Sequence, residues 1–399
     1  MNVYLDYSAT TPTDPEVLAA MTPYFTEVFG NPSSVYSLAA KSRAAIDKAR
    51  EQVAAAFGAH PEEIFFTGSG TEADNWALKG AVDKAREAGK HGACHVITSA
   101  IEHHAILHTA DYLEKHEGVK VTYLPVDSEG RVSIDDLRSA ATDETVIVSI
   151  MFANNEIGTI EPIKAIGEFC RERGILFHTD AVQAAAQIPI DVQELKIDMM
   201  SMSAHKMYGP KGTGAFYLRR GVKVENFVHG GGQEKGRRAS TENIAGIVGM
   251  GFAAERMKQR LPTEKPRLTA LRDRLIDGIL KSIPHAKLNG ARGEERLPNN
   301  VNFSFIGVEG ETLLLDLDAN GISASTGSAC TSGSLDPSHV LMAIGLSHEL
   351  AHGSLRMTLG RGTTDEHIGH VLSVLPGIVA RRRSMSPVWE QYVKEHGGS

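Results

Sequence analysis

No stretch of this 399-residue chain approaches the ~20 consecutive apolar residues needed to span a bilayer, which excludes a helical membrane protein at this level. The opening residues Met1-Asn2-Val3-Tyr4-Leu5-Asp6 carry no basic segment followed by an apolar one, so no secretory leader is expected. Cysteine is scarce: Cys94, Cys170 and Cys330 stand alone, without CxxC spacing. So few, and an odd number, rule out a disulfide framework and predict a reducing, cytoplasmic location. Positive charge is also short, with 41 Lys and Arg against 49 Asp and Glu, a net charge of −8. A nucleic-acid-binding protein usually shows a basic face, so no direct nucleic-acid partner is expected. Internal repeats and low-complexity tracts are missing too. What remains is ordinary globular composition, 42% apolar and 23% charged, in a chain long enough for two domains.

Strand-like and helix-like segments alternate, which predicts an α/β fold with a mainly parallel sheet flanked by helices. Expected strands are Ile64–Thr67, His95–Ser99, Lys120–Val126, Thr145–Phe152, Ile175–Thr179, Met199–Ser203 and Gly214–Leu218. Expected helices include Asp47–Phe57, stopped by Gly58, and Ala73–Ala88, Ile101–His116 and Pro162–Arg173. Pro262 and Pro266 break the pattern around Gln259–Pro266. Beyond this seam, a helix at Arg267–Ser282, strands at Asn300–Ile306 and Ile322–Ser325, and a helix at Glu309–Ala319 predict a smaller α+β domain. Its last helix opens on a capping box, Thr363-x-x-Glu366.

Two segments carry the chemistry: His178-Thr179-Asp180-Ala181-Val182-Gln183 and Ser203-Ala204-His205-Lys206. Each follows an apolar strand, so Asp180 and Lys206 emerge at strand carboxyl ends, where open α/β sheets bind ligands. A lysine and a carboxylate so placed suit pyridoxal phosphate. The amine forms a Schiff base with the aldehyde, and the carboxylate keeps the ring nitrogen protonated. A buried Asp–Lys ion pair is the structural alternative. Gly68-Ser69-Gly70-Thr71-Glu72 lies between a strand and a helix, with Thr71 as the expected N-cap, and offers free N–H groups and the helix dipole to a phosphate. It also reads as a plain capped turn. Ser203 and His205 can donate to the same phosphate, and a histidine in Glu102-His103-His104 can stack on the ring and move protons.

Other motifs compete. His104 and His108 stand at i and i+4, the spacing of a metal pair, with no third ligand nearby in sequence. His348-Glu349-Leu350-Ala351-His352 satisfies the HExxH pattern of zinc peptidases. That mechanism needs a long helix, whereas Gly345 and Gly353 bracket the segment and Ser354–Leu359 reads as a strand. Ser323 to Ser334 are almost all small residues, which predicts a surface loop. Its Cys330 is either an accessible reactive thiol or incidental; Cys94 and Cys170 read as structural. Arg356, on the strand that follows, offers a two-pronged clamp for an α-carboxylate.

Taken together, the chain closely resembles the cysteine desulfurases of the NifS/IscS type, which are fold-type I pyridoxal-phosphate enzymes. The similarity runs from Tyr4-Leu5-Asp6-Tyr7-Ser8-Ala9-Thr10-Thr11-Pro12 through Gly30-Asn31-Pro32-Ser33-Ser34 and Asn154-Asn155-Glu156-Ile157-Gly158. It continues through the two segments above and Gly230-Gly231-Gly232-Gln233-Glu234. The segment Gly327-Ser328-Ala329-Cys330-Thr331-Ser332 looks like the longer-loop, iron–sulfur-assembly branch.

The resemblance implies a role for each residue. Lys206 carries the cofactor and acts as general base, Asp180 meets the ring nitrogen, Gln183 the ring hydroxyl, and His103 stacks on the ring. Gly70, Thr71, Ser203 and His205 hold the phosphate, Thr241 reaches the phosphate of a neighbouring subunit in a homodimer, and Asn155 and Arg356 bind the substrate carboxylate. Cys330 takes sulfur from L-cysteine as a persulfide, releases alanine, and passes the sulfur to an acceptor such as an iron–sulfur scaffold. The expected division is a large cofactor-binding domain, 15–262, and a small domain, 1–14 with 263–399, carrying the cysteine loop at about 323–334. Two departures stand out: Tyr36 replaces the family's usual histidine, and Ala239-Ser240 replace Ser-Gly. A selenocysteine lyase or aminotransferase-like reaction, and a non-catalytic sulfur-assembly partner, are the alternatives.

Overall fold

A computed structural model describes residues 1–89, 94–326 and 337–396. A seven-stranded sheet forms its centre, in the order Ile64–Thr67, Gly214–Leu218, Met199–Ser203, Leu176–Asp180, Thr145–Ser149, His95–Ser99, Lys120–Leu124. The last five run parallel to one another, and Gly214–Leu218 is antiparallel to both its neighbours. Six of these strands, all but Lys120–Leu124 and including the three central ones that end near the site, are buried or nearly so on both faces. That explains why they are rich in Val, Ile, Phe and Met without a regular polar alternation. Helices cover both faces, with one core around Ile97, Val148, Phe177 and Met200 and another around Phe65, Trp76 and Phe216.

A further core gathers residues distant in sequence. Val3 and Leu5 pack with Leu268–Ile279, Phe303, Leu355 and Val379. Its three-stranded antiparallel sheet orders Ser354–Thr358, Asn300–Phe305 and Ala286–Leu288, while Val3–Tyr4 pairs in parallel with Ile322–Ser323. Among the described residues no helix is long and apolar enough to cross a membrane.

The structure corrects four local expectations. Pro262 and Pro266 do not break the chain: one 39-residue helix, Ile244–Ser282, runs through both. An internal proline costs a helix about 3 kcal/mol. Here Ala245 to Met257 are anchored in one core and Leu268 to Ile279 in the other, and that burial outweighs the loss. The helix ending at Phe57 begins at Ser37, ten residues earlier than expected, because Tyr36 precedes it without a side-chain cap and leaves no start signal. Ser69, not Thr71, caps helix Gly70–Glu87, accepting the Glu72 N–H at 3.1 Å. Finally, Thr364, paired with His367, caps helix Asp365–Ser384. The Thr363 hydroxyl is already committed to the Gly360 N–H at 2.9 Å.

Candidate active site

The carboxyl ends of the central parallel strands open into a pocket of ≈ 320 Å³. Lys206, Asp180, Gln183, His103, Gly70, Thr71, Ser203, His205, Asn155 and Arg356 all line it. Residues from Gly70 to Arg356 meet because the central strands stop at one edge and hand their next residues to the pocket, while Arg356 reaches it from strand Ser354–Thr358 of the smaller sheet. Thr241 is exposed and is not among the lining residues, and Cys330 lies outside the described residues.

Asp180 ends its strand and is 6% exposed; its Oδ1 accepts the Val182 N–H at 2.9 Å. Burial raises its carboxyl, opposed by His103, that N–H and Lys206. Lys206 follows strand Met199–Ser203 within a short 3-10 turn, and its Nζ donates to the carbonyls of Ser8 and Ala9, the latter at 2.7 Å. Gln183 Nε2 donates to the Ser8 carbonyl at 3.0 Å. The N-terminal segment around Ser8 and Ala9 therefore forms one wall of the pocket.

His103 sits at the start of helix His104–Glu117, placed by its neighbour Glu102. That buried carboxyl accepts the Ser99 hydroxyl at 2.6 Å and the Met151 N–H at 2.9 Å, bracing two strand ends together. Burial lifts Glu102 to about 8, against those hydrogen bonds. At the other end, the first turn of helix Gly70–Glu87 faces Ser203 and His205. A Cβ on Gly70 would meet Val182 Cγ2 at 2.7 Å, so a larger residue here would displace Val182, which also lines the pocket. Burial, then Lys206 and Lys211, hold His205 down at about 4, leaving a neutral imidazole whose Nδ1 pairs with the Thr10 hydroxyl at 3.1 Å.

Arg356 is 2% exposed, with Nη2 on Asp6 Oδ1 at 3.0 Å and Nη1 on the Asn155 carbonyl at 3.3 Å. Its Nε, together with Ser8 Oγ and Asp74 Oδ1, is buried without a hydrogen-bond partner. Orphaned polar atoms converging on one pocket mark a place built for a polar ligand. A phosphate fits the helix N-terminus with Ser203 and His205, a pyridine ring fits between His103 and Asp180, and a carboxylate fits Arg356.

The other motifs do not converge in this way. His348–His352 is a single short helix, capped by Ser347 and stopped at Gly353. Its two rings lie 4.5 Å apart. The His104 ring lies 4.8 Å from those of both His108 and His339, tilted against each. Among the described residues, neither pair belongs to a group of three metal-ligating side chains. Cys94 and Cys170 are buried, and burial pushes the Cys170 thiol up to about 12.

Comparison with known proteins agrees with this geometry. A model of the class-V aminotransferases matches residues 3–371. The cysteine desulfurase IscS of Clostridium botulinum is 63% identical over 393 residues, 98% of each chain. The chain belongs to the cysteine desulfurase family of class-V aminotransferases. A solved NifS-like protein superposes with a TM-score of 0.88 at 37% identity, over 96% of this chain and 100% of its own. The structure of SspA in complex with cysteine gives 0.79 at 37% identity, over 90% and 99%. The family's cofactor is pyridoxal phosphate, and the residues present fit it.

In this family frame, Ser240 stands out. Its φ is +100°, a conformation that favours glycine. Its N–H reaches Gln233 Oε1 at 3.2 Å, holding the turn that leads to Thr241.

Proposed function

We propose that this chain is a cysteine desulfurase, which removes sulfur from L-cysteine and leaves L-alanine. The observation that carries the reading is the single pocket in which Lys206, Asp180, His103 and Arg356 meet, in a chain 63% identical to a cysteine desulfurase. When bound, pyridoxal phosphate supplies an electron-poor ring that accepts the electron pair released at the substrate's Cα. Gly70, Thr71, Ser203 and His205 would hold its phosphate, Gln183 its ring hydroxyl, and Asp180 a proton at its ring nitrogen.

Arg356 and Asn155 bind the α-carboxylate, which points the substrate's Cα at Lys206. The Lys206 amine takes the α-proton as general base, and the carbonyls of Ser8 and Ala9 then hold the resulting ammonium. His103, which lines the same pocket, would move a proton to or from the substrate. The Cys330 thiolate attacks the substrate sulfur: one S–S bond forms, the Cβ–S bond breaks, and the electron pair left on carbon is protonated to give alanine. Enzyme thiol plus cysteine thus become enzyme persulfide plus alanine, with no outside oxidant. A homodimer in which Thr241 completes a neighbouring site, a cytoplasmic location, and sulfur delivery to an iron–sulfur scaffold or a similar acceptor belong to the same proposal. So does the division into 15–262 and 1–14 with 263–399, supported by the separate core that gathers Val3 with Leu268–Val379.

Mass spectrometry of the protein after exposure to L-cysteine is the test. One added sulfur on Cys330 is expected, and Cys330→Ala should abolish sulfide release while the bound cofactor's visible absorbance persists. Full turnover by Cys330→Ala would overturn the persulfide step.

A further inference from the structure

Asp74, in the second turn of helix Gly70–Glu87, lines the same pocket, and no step above uses it. It is 1% exposed, and its Oδ1 has no hydrogen-bond partner. Asp74, Asp180 and His103 each offer an atom within 4.8 Å of the others. Two carboxylates this close, out of water, do not both ionise without strong repulsion.

The surroundings decide which one keeps its charge. Asp180 accepts a backbone N–H and faces His103 and Lys206. The charges acting on Asp74 come from Asp180 and Glu102, both acids. The one contact that favours its anion is a side-chain hydrogen bond from Ser201, and His178 Nε2 lies 3.7 Å from Oδ1. His178 brings no positive charge, because burial holds it down at about 3. Its two nitrogens are occupied by Ser149 Oγ at 2.8 Å and Ser201 Oγ at 2.9 Å. Burial, with Asp180, pushes the Asp74 carboxyl well above the usual carboxylate range.

We propose that Asp74 is an uncharged carboxylic acid facing Asp180, a positioning residue whose O–H supports the Asp180 anion where it meets the cofactor's ring nitrogen. The proposal rests on reading the pocket as a pyridoxal-phosphate site. It separates two acids of the same pocket by role: one neutral donor, one anion.

Two readouts on full-length protein test it: the dissociation constant of pyridoxal phosphate from the apo-protein, and the pH midpoint of the bound cofactor's visible band. Asp74→Asn keeps a neutral donor, so both should stay near wild type, within about threefold and about 0.3 pH unit. Asp74→Ala removes the donor to an anion, and affinity should fall at least roughly tenfold with a midpoint shift of about half a unit or more. An alanine variant that matches wild type overturns the proposal. So does an asparagine variant as impaired as alanine, since the acid's charge would then be what matters. Should the alanine variant fail to fold, Asp74→Asn decides alone by the same thresholds. A wild-type protein that binds no pyridoxal phosphate refutes the site reading itself, a result distinct from any variant pattern.

Discussion

Arg356→Lys probes the carboxylate clamp without removing its charge. In the structure Arg356 is buried on strand Ser354–Thr358, and its backbone pairs with Ser325 at 2.7 and 3.1 Å, so its position is set by main-chain bonds that the substitution leaves intact. Its guanidinium spends Nη2 on Asp6 and Nη1 on the Asn155 carbonyl, leaving Nε unpartnered. A planar fork held in this way can present two parallel N–H groups to a carboxylate, whereas an ammonium offers a point charge. Losing one charge-assisted hydrogen bond costs about 1.5–3 kcal/mol, which corresponds to a KM for L-cysteine raised roughly 10- to 150-fold. Because the lost contact is made equally before and during proton removal, kcat should change by less than about threefold. The assay is steady-state alanine and sulfide production against L-cysteine concentration. A KM within about threefold of wild type, or a loss confined to kcat, would refute the assignment of Arg356 to the substrate carboxylate.

Two other predictions concern stability. Ser240→Gly relieves a non-glycine residue held at φ +100° and should stabilise the protein by about 1 kcal/mol. For a chain of this length that amounts to roughly 1 °C in Tm, measurable by calorimetry; a lower Tm would show that the serine's own contacts matter more than its strain. Glu102, with an ordinary value of 4.5, is lifted to about 8 in the folded state by burial. Between those values the fold keeps a proton that the unfolded chain gives up, so this residue makes stability fall as pH rises from about 4.5 to 8. Glu102→Gln should flatten that fall by on the order of 1–3 kcal/mol, read as Tm at pH 5 and pH 8.5. An unchanged pH dependence would show that Glu102 is not the group responsible.

Much of the site was legible because its chemistry is carried by residue types at strand ends. The strands ending in Asp180 and Ser203 open on apolar residues, Leu176-Phe177 and Met199-Met200, and the turn to Asp or Ser-Ala-His-Lys announces where the sheet edge lies. Gly70 and Ser203 could be placed for the same reason. The helix boundaries failed where the signal was local and misleading. Pro262 and Pro266 normally stop a helix, but burial at both ends of Ile244–Ser282 overrides them. Thr71 and Thr363 look like caps as well as Ser69 and Thr364 do, and only the surrounding hydrogen bonds distinguish them. The wall made by Ser8 and Ala9 was not legible, because backbone carbonyls have no side-chain signature.

Residue order alone thus settles which groups exist and which strand each follows, because periodicity and strand length are short-range properties of neighbouring residues. Which groups share a pocket is a long-range property. Asp6 reaches Arg356 across 350 positions, and Asp74 stands beside Asp180, because strands and helices pack only in a few arrangements that bury their apolar faces together. That packing brings two acids close enough for one to be denied its charge, and no pattern along the chain encodes that distance.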